Sequence, residues 1–193
     1  MNEPQSQLKD FVNIQRSLIE PSICRQVIDE IKDGPWERHY WHDGGNNKEI
    51  KGGNEELDIQ NTNENAQKLL SQIMANACIS YQNLFAYSDK NTKKIFHQFA
   101  QLRFNRYSPG QIMRIHIDHI SSLFDGKEKG IPVISLVLNF NDQYEGGELT
   151  FWGNYKIKLG VGDIVLFPSL FMFPHRVSEI TKGVRYSAVS WAW

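Results

Sequence analysis

From Phe99 to Trp193, apolar and polar residues alternate, and turn residues break the alternation at close intervals. The segments FAQLRFNRY, QIMRIHI, PVISLVLNF, GELTFW, YKIKL, DIVLF, HRVSEI and VRYSAVSWAW are rich in β-branched and aromatic residues. SPG, NDQYEGG, WGN, GVGD and TKG separate them. A period of two sends successive side chains to opposite faces of a sheet, so this half is committed to strands with a buried face. About eight short strands with no helix between them predict a β-sandwich, barrel or jelly roll.

Before residue 99 the spacing is helical. EPSICRQVIDEIKDG carries Ile23, Val27 and Ile31 at four-residue steps, with Pro21 and Ser22 at its start and Gly34 past its end, as helix termini require. NENAQKLLSQIMANACISYQNLF places Ala66, Leu69, Leu70, Ile73, Met74, Ala77 and Tyr81 on one stripe. The Gly/Asn-rich stretch 43–63 between them reads as a loop, with GGNEELD a solvated acidic turn. The expectation is a single domain over 1–193. Residues 1–98 form a helical support region, packed on the outside of one sheet of a core formed by 99–193.

At 193 residues the chain can bury about two-thirds of its unfolded surface. Its 21 basic and 22 acidic side chains leave a net charge of −1, so no nucleic-acid partner is expected. Cys24 and Cys78 lack CxxC spacing and read as reduced, packed thiols. The N-terminus MNEPQSQLKD has no apolar h-region, and no later apolar run approaches the ~20 residues of a membrane span. A cytoplasmic protein without a membrane partner is the expectation.

The chemistry concentrates in NRYSPGQIMRIHIDHISSLF. His116 and Asp118, two apart on a strand, share a face, and the pattern turns that face inward. A buried carboxylate beside an imidazole is costly unless an ion pair or a metal satisfies it. His175 follows 57 residues after Asp118. Two histidines and a carboxylate make the facial triad of non-haem Fe(II) oxygenases. The absence of cysteine speaks against structural zinc, and a catalytic zinc stays open on ligand types alone. Arg185 lies ten residues beyond His175, with Ser187 on the same face; an arginine fork and a hydroxyl can hold the far carboxylate of a dicarboxylic acid. Tyr107, nine residues before His116, offers a further hydroxyl. Arg114, two before His116, shares its inward face if the strand is regular, and reads as a substrate contact or a rim ion pair. Trp191 shares the face of Arg185 and walls the same pocket or packs in the core. His119 faces away, and His39, His42 and His97 read as solvated. YWHDGG reads as a surface loop, and DHISSLFDGKEKGI, directly after the triad strand, as a lid.

Residues 99–193 resemble the Fe(II)- and 2-oxoglutarate-dependent dioxygenases, most closely their prolyl 4-hydroxylase-like, PKHD-type branch. RYSPGQIMRIHID matches the family's tyrosine, Pro-Gly turn and His-x-Asp strand, and VISLVLNFNDQYEGGELTFW its Leu-Asn strand and Gly-Gly-x-Leu turn. GDIVLFPSLFMFPHRV matches the Gly-Asp turn, Phe-Pro and distal histidine, and GVRYSAVSWAW the arginine strand with its terminal tryptophan. The resemblance implies a double-stranded β-helix, or jelly roll. It implies Fe(II) on His116, Asp118 and His175, and 2-oxoglutarate with its distal carboxylate on Arg185, Ser187 and Tyr107. O2 is consumed with oxidative decarboxylation of 2-oxoglutarate to succinate, and ascorbate is a possible accessory. Arg185 stands where many collagen-type members have lysine, and Met113 and Val137 where some have tyrosine. Asp118 is the carboxylate that the family's halogenases lose, so hydroxylation is implied. The expected substrate is a prolyl or other residue in a peptide or protein. The alternatives are a free amino acid or other small molecule, a zinc hydrolase, and a catalytically inactive jelly-roll binding module.

Overall fold

The computed structural model describes residues 7–43, 48–61, 63–85, 96–118 and 132–193. After a 3-10 turn, Leu8–Phe11, come β1 (Asn13–Gln15), α1 (Pro21–Ile31), β2 (Glu37–Arg38), β3 (Tyr40–Asp43), β4 (Lys48–Lys51), β5 (Asp58–Gln60) and α2 (Glu64–Phe85). Then follow β6 (Arg103–Tyr107), β7 (Met113–His116), β8 (Ile134–Asn139), β9 (Tyr144–Gly146), β10 (Leu149–Phe151) and β11 (Tyr155–Ile157). The chain closes with β12 (Ile164–Pro168), β13 (His175–Val177), β14 (Ile180–Gly183) and β15 (Arg185–Ala192).

The strands form a seven-stranded antiparallel sheet, β1-β12-β8-β15-β6-β5-β2, and a four-stranded one, β11-β10-β13-β7. Period two explains how they pack. On β8 and β12, Leu136, Leu138, Ile164 and Leu166 face one way, into a core shared with Cys24, Val27 and Ile31 of α1 and Leu70, Met74 and Cys78 of α2. Val137, Val165 and Phe167 face the other way, against Leu149, Phe151 and Val177 of the smaller sheet. All six residues of β8 are therefore buried, which is why it reads as an unbroken apolar run. Two antiparallel sheets face to face, with the helices outside the larger one, make the expected jelly roll. The cysteines are buried on the helices. No helix among the described residues is long and apolar enough to cross a membrane.

The N-terminal half differs from its sequence reading. YWHD is strand β3, paired with β4, where a surface loop was expected. Within the stretch 43–63, β5 adds to the larger sheet beside β6, with Leu57 and Ile59 buried. β1 and β2 extend the same sheet. These strands have two to four residues, too few for alternation to show; β1, β2 and β5 extend the larger sheet and cover its edges, while β3 and β4 form a ribbon of their own. Likewise β9 and β14 pair as a ribbon where NDQYEGG and TKG read as turns. The candidate lid lies largely outside the described residues.

Gly162 joins the two halves. Its carbonyl accepts the Ile19 amide at 3.0 Å, its φ is +78°, and a Cβ there would sit 2.0 Å from the Ile19 oxygen. Gly162→Ala is expected to lose about 1–3 kcal/mol of stability from backbone strain, with the clash adding to it, read as a lower urea midpoint.

Candidate active site

β7 and β13 pair so that His116 sits opposite His175, with ring centroids 4.2 Å apart. The Nδ1 of His116 lies 2.8 Å from the Arg114 carbonyl, and that of His175 lies 3.0 Å from the Phe173 carbonyl. A carbonyl only accepts, so each Nδ1 carries a proton, and in the neutral ring each Nε2 presents a bare lone pair. Asp118 Oδ1 is 3.4 Å from His116 Nε2 and 3.7 Å from His175 Nε2. One ligand atom from each residue falls within 4.8 Å of the others. With both rings neutral, two lone pairs and a carboxylate converge with no donor between them, which is unfavourable unless a cation sits there. The donor set fits a divalent metal held by three protein ligands, with the remaining side open to a pocket.

Burial of His175 disfavours its charged form and takes its pKa down to about 4, against the pull of Asp118. Burial of Asp118 opposes ionisation, but His175, His116 and the Ser135 hydroxyl outweigh it and hold the carboxyl well below its usual range. Neutral imidazoles and an ionised carboxylate are the protonation states that metal ligands need. His39, also buried, is lowered to about 4 by burial and by Arg103, with Glu56 opposing. An unfolded histidine takes up its proton near pH 6.5, whereas these two refuse it until about pH 4. Stability is thus whole above 6.5 and lost as pH falls from 6.5 to about 4. Each contributes on the order of 3 kcal/mol. Urea unfolding of the metal-free protein across that window is expected to show uptake of about two protons.

A half-open pocket lies beside these ligands. At one end lies Arg185, 0% exposed. Its Nε donates to Asn139 Oδ1 at 3.0 Å, and its Cζ lies 5.2 Å from the centre of the Tyr107 ring. Asn139 is itself seated by the carbonyls of Asn141 and Gly160, at 2.6 and 3.0 Å. Both Nη atoms of Arg185 are buried without a partner. A guanidinium fork with two unspent donors is the complement of a carboxylate. Ser187 and Tyr107 line the same pocket, as does Trp191.

Arg114 does not face inward. β7 and β13 shift register between His175 and Val177, so that Met113 and His116, three residues apart, both line the pocket. The irregularity breaks strict alternation and turns Arg114 to the rim, where it pairs with Glu56. The rim ion pair is therefore what forms, and Arg114 lies off the pocket wall.

Glu56 and His39, read as solvated, are 0% and 2% exposed. Glu56 accepts from Trp41 Nε1 at 3.0 and 2.8 Å and from Arg114, and lies 3.0 Å from His39 Nδ1. The Trp41 ring then stands edge-on to His116 at 5.8 Å. A turn ending in a β-bridge from Glu56 to Ile112 carries the carboxylate under this rim. The only hint in the sequence is an acidic residue beside a buried pattern, LDI, after two glycines. Glu56→Gln keeps the shape but removes the charge facing Arg114. A loss of roughly 1–3 kcal/mol is expected in thermal or urea unfolding. Of the remaining histidines, His97 is exposed as read, while His119 and the side chain of His42 lie outside the described residues.

The profile of the 2OG-Fe(II) oxygenase superfamily matches residues 102–193. A PKHD-type hydroxylase of Aliarcobacter butzleri is 34% identical over 180 residues, covering 87% of this chain and 70% of that protein. A PKHD-type hydroxylase of Acinetobacter baumannii is 35% identical over 101 residues, 49% of this chain. That match spans 44% of the Acinetobacter protein, less than half its length. Among solved structures, a prolyl hydroxylase from Trichoplax adhaerens, in complex with a hypoxia-inducible-factor peptide fragment, superposes with a TM-score of 0.70. It is 19% identical, and the match covers 95% of this chain and 83% of that one. A viral collagen prolyl hydroxylase from Paramecium bursaria Chlorella virus-1, in complex with 2-oxoglutarate, gives 0.62 at 17% identity over 94% of each chain. At these identities the two structures speak for the fold.

Proposed function

The chain belongs to the 2OG-Fe(II) oxygenase superfamily, among the PKHD-type hydroxylases, and on that footing we propose that it hydroxylates a C–H bond of its substrate using Fe(II), 2-oxoglutarate and O2. A residue in a peptide or protein, proline foremost, is the first substrate reading; ascorbate, as a reductant for adventitiously oxidised iron, belongs to the same proposal. One observation carries the reading. The bare Nε2 atoms of His116 and His175, the Asp118 carboxylate and the unpartnered fork of Arg185 all open on one pocket.

In this reading His116, Asp118 and His175 hold the metal. Arg185, oriented by Asn139, takes the distal carboxylate of 2-oxoglutarate, and Ser187 and Tyr107 add hydroxyls around it. Met113, Leu149, Val177 and Val189 line the pocket with hydrocarbon, which excludes water and strengthens every charge interaction inside. The metal and co-substrate, when bound, supply oxidation of the C–H bond coupled to decarboxylation of 2-oxoglutarate to succinate. The chain contributes positioning and shielding.

The test is anaerobic. Fe(II) and then 2-oxoglutarate are added to the purified metal-free protein while the visible spectrum is recorded. A charge-transfer band that needs both additions is expected. Metal binding without any band on adding 2-oxoglutarate would overturn the co-substrate assignment and favour a zinc hydrolase or binding module. A free amino acid or other small carboxylate is the second substrate reading, and a second arginine in the pocket, Arg103, favours it.

A further inference from the structure

The inner faces of β6 and β15 run side by side along the pocket. β6 contributes Arg103, Asn105 and Tyr107, and β15 contributes Arg185, Ser187, Val189 and Trp191. Arg185 is in register with Tyr107, and Arg103 with Val189. The two arginines thus mark opposite ends of this wall, four residues or about 13 Å apart along the strand.

Arg103 differs from the other arginines around it. Arg38 and Arg106 pair with Asp58, and Arg114 with Glu56. Arg103 has no carboxylate partner among the described residues. Its guanidinium stands 5.6 Å from the Trp191 ring centre, and its Nη1 reaches His39 Nε2 at 3.5 Å. His39 gives its Nδ1 proton to Glu56, so Nε2 is a bare acceptor that aims the guanidinium without neutralising it. Arg103 Nε remains buried and unpartnered, and so do Trp191 Nε1 and Asn105 Oδ1 beside it. Two unspent N–H donors, one of them cationic, therefore face the pocket that holds the candidate metal ligands. Arg103 is part-buried, and a part-buried guanidinium with no carboxylate paired to it attracts a bound anion. Arg185 is already accounted for by the co-substrate.

We propose that Arg103 is a specificity-determining residue that binds a carboxylate of the primary substrate, with Trp191 Nε1 as a second donor. The proposal rests on the Fe(II)/2-oxoglutarate reading of the site. It narrows the substrate to a molecule with a carboxylate near the carbon that reacts. That carboxylate is either the α-carboxylate of a free amino acid or an acidic group of a peptide.

The test uses the full chain loaded with Mn(II), a redox-silent stand-in for Fe(II), and saturating 2-oxoglutarate, which keeps Arg185 occupied. Both affinities are measured first by titration calorimetry. If either fails to bind, the reading of the site falls, and this inference with it. With both bound, propionate is titrated and the paramagnetic broadening of its proton resonances is followed. Saturable broadening is expected, weakened at least about tenfold in Arg103→Gln and less so in Arg103→Lys, which keeps the charge but loses the planar fork. Affinities for Mn(II) and 2-oxoglutarate stay unchanged in both variants, and their far-ultraviolet circular dichroism matches the parent. No saturable broadening in the parent, or equal broadening in Arg103→Gln, overturns the proposal. A tenfold loss of 2-oxoglutarate affinity in Arg103→Gln also overturns it, because Arg103 would then serve the co-substrate. Displacement of propionate by free L-proline, against displacement by an acetylated, amidated Pro-Glu peptide, separates the two sources of the carboxylate.

Discussion

Replacement of Asp118 by alanine is expected to abolish 2-oxoglutarate turnover and to weaken Fe(II) binding by at least about 100-fold, roughly 2.7 kcal/mol. Asp118 is the one anion in the candidate ligand set, 8% exposed and placed between two imidazoles whose Nδ1 protons are committed to backbone carbonyls. Without it, two neutral nitrogens remain to hold a divalent ion in a poorly solvated pocket, and no charge in the set offsets the ion's own desolvation. Asp118→Asn separates shape from charge. It keeps the volume and is expected to fail almost as fully, because an amide oxygen carries no net charge. Calorimetric Fe(II) titration under anaerobic conditions and succinate release measure the two losses. Parent-like turnover in either variant would sink the proposed mechanism.

Arg185→Met is expected to raise the dissociation constant for 2-oxoglutarate by about 100-fold while leaving the metal-free protein as stable as the parent or more so. The two halves of this result share one cause. Arg185 is fully buried, is hydrogen-bonded through Nε to Asn139, lies over the Tyr107 ring, and has two unpartnered Nη atoms. In the free protein that guanidinium is an uncompensated buried charge, which an apolar side chain of similar length relieves. In the proposed complex with 2-oxoglutarate it would supply a bidentate, charge-assisted contact whose removal costs a few kcal/mol. Thermal unfolding without ligand measures the first effect, and quenching or calorimetry with 2-oxoglutarate the second. A destabilised protein with unchanged 2-oxoglutarate affinity would reverse the roles and make Arg185 a structural residue.

Chemistry that depends on local periodicity was legible before any coordinates. Arg185, Ser187 and Trp191 share a face on β15 because strands repeat every two residues; His116 and Asp118, two apart, also meet, although β7 ends at His116. The alternation over 99–193 also implies two packed sheets, since each strand has to bury a face. Arg114 shows where that logic stops. A register shift between β7 and β13 puts His116 and Met113 on one face at a spacing of three and sends Arg114 to the rim.

Glu56 shows the other limit. Its partners lie 15 to 58 residues away along the chain. Nothing in GGNEELD distinguishes a carboxylate that will be buried under an aromatic rim from one that stays in water. The same holds for Arg103, whose lack of a carboxylate partner is a property of what surrounds it. By itself, then, the sequence determined the fold class, the candidate metal set and the candidate co-substrate arginine, because strand periodicity and ordered motifs are short-range. Only the tertiary structure decided which charges are paired and which are left to bind something else, because pairing is set by distances between residues far apart in the chain.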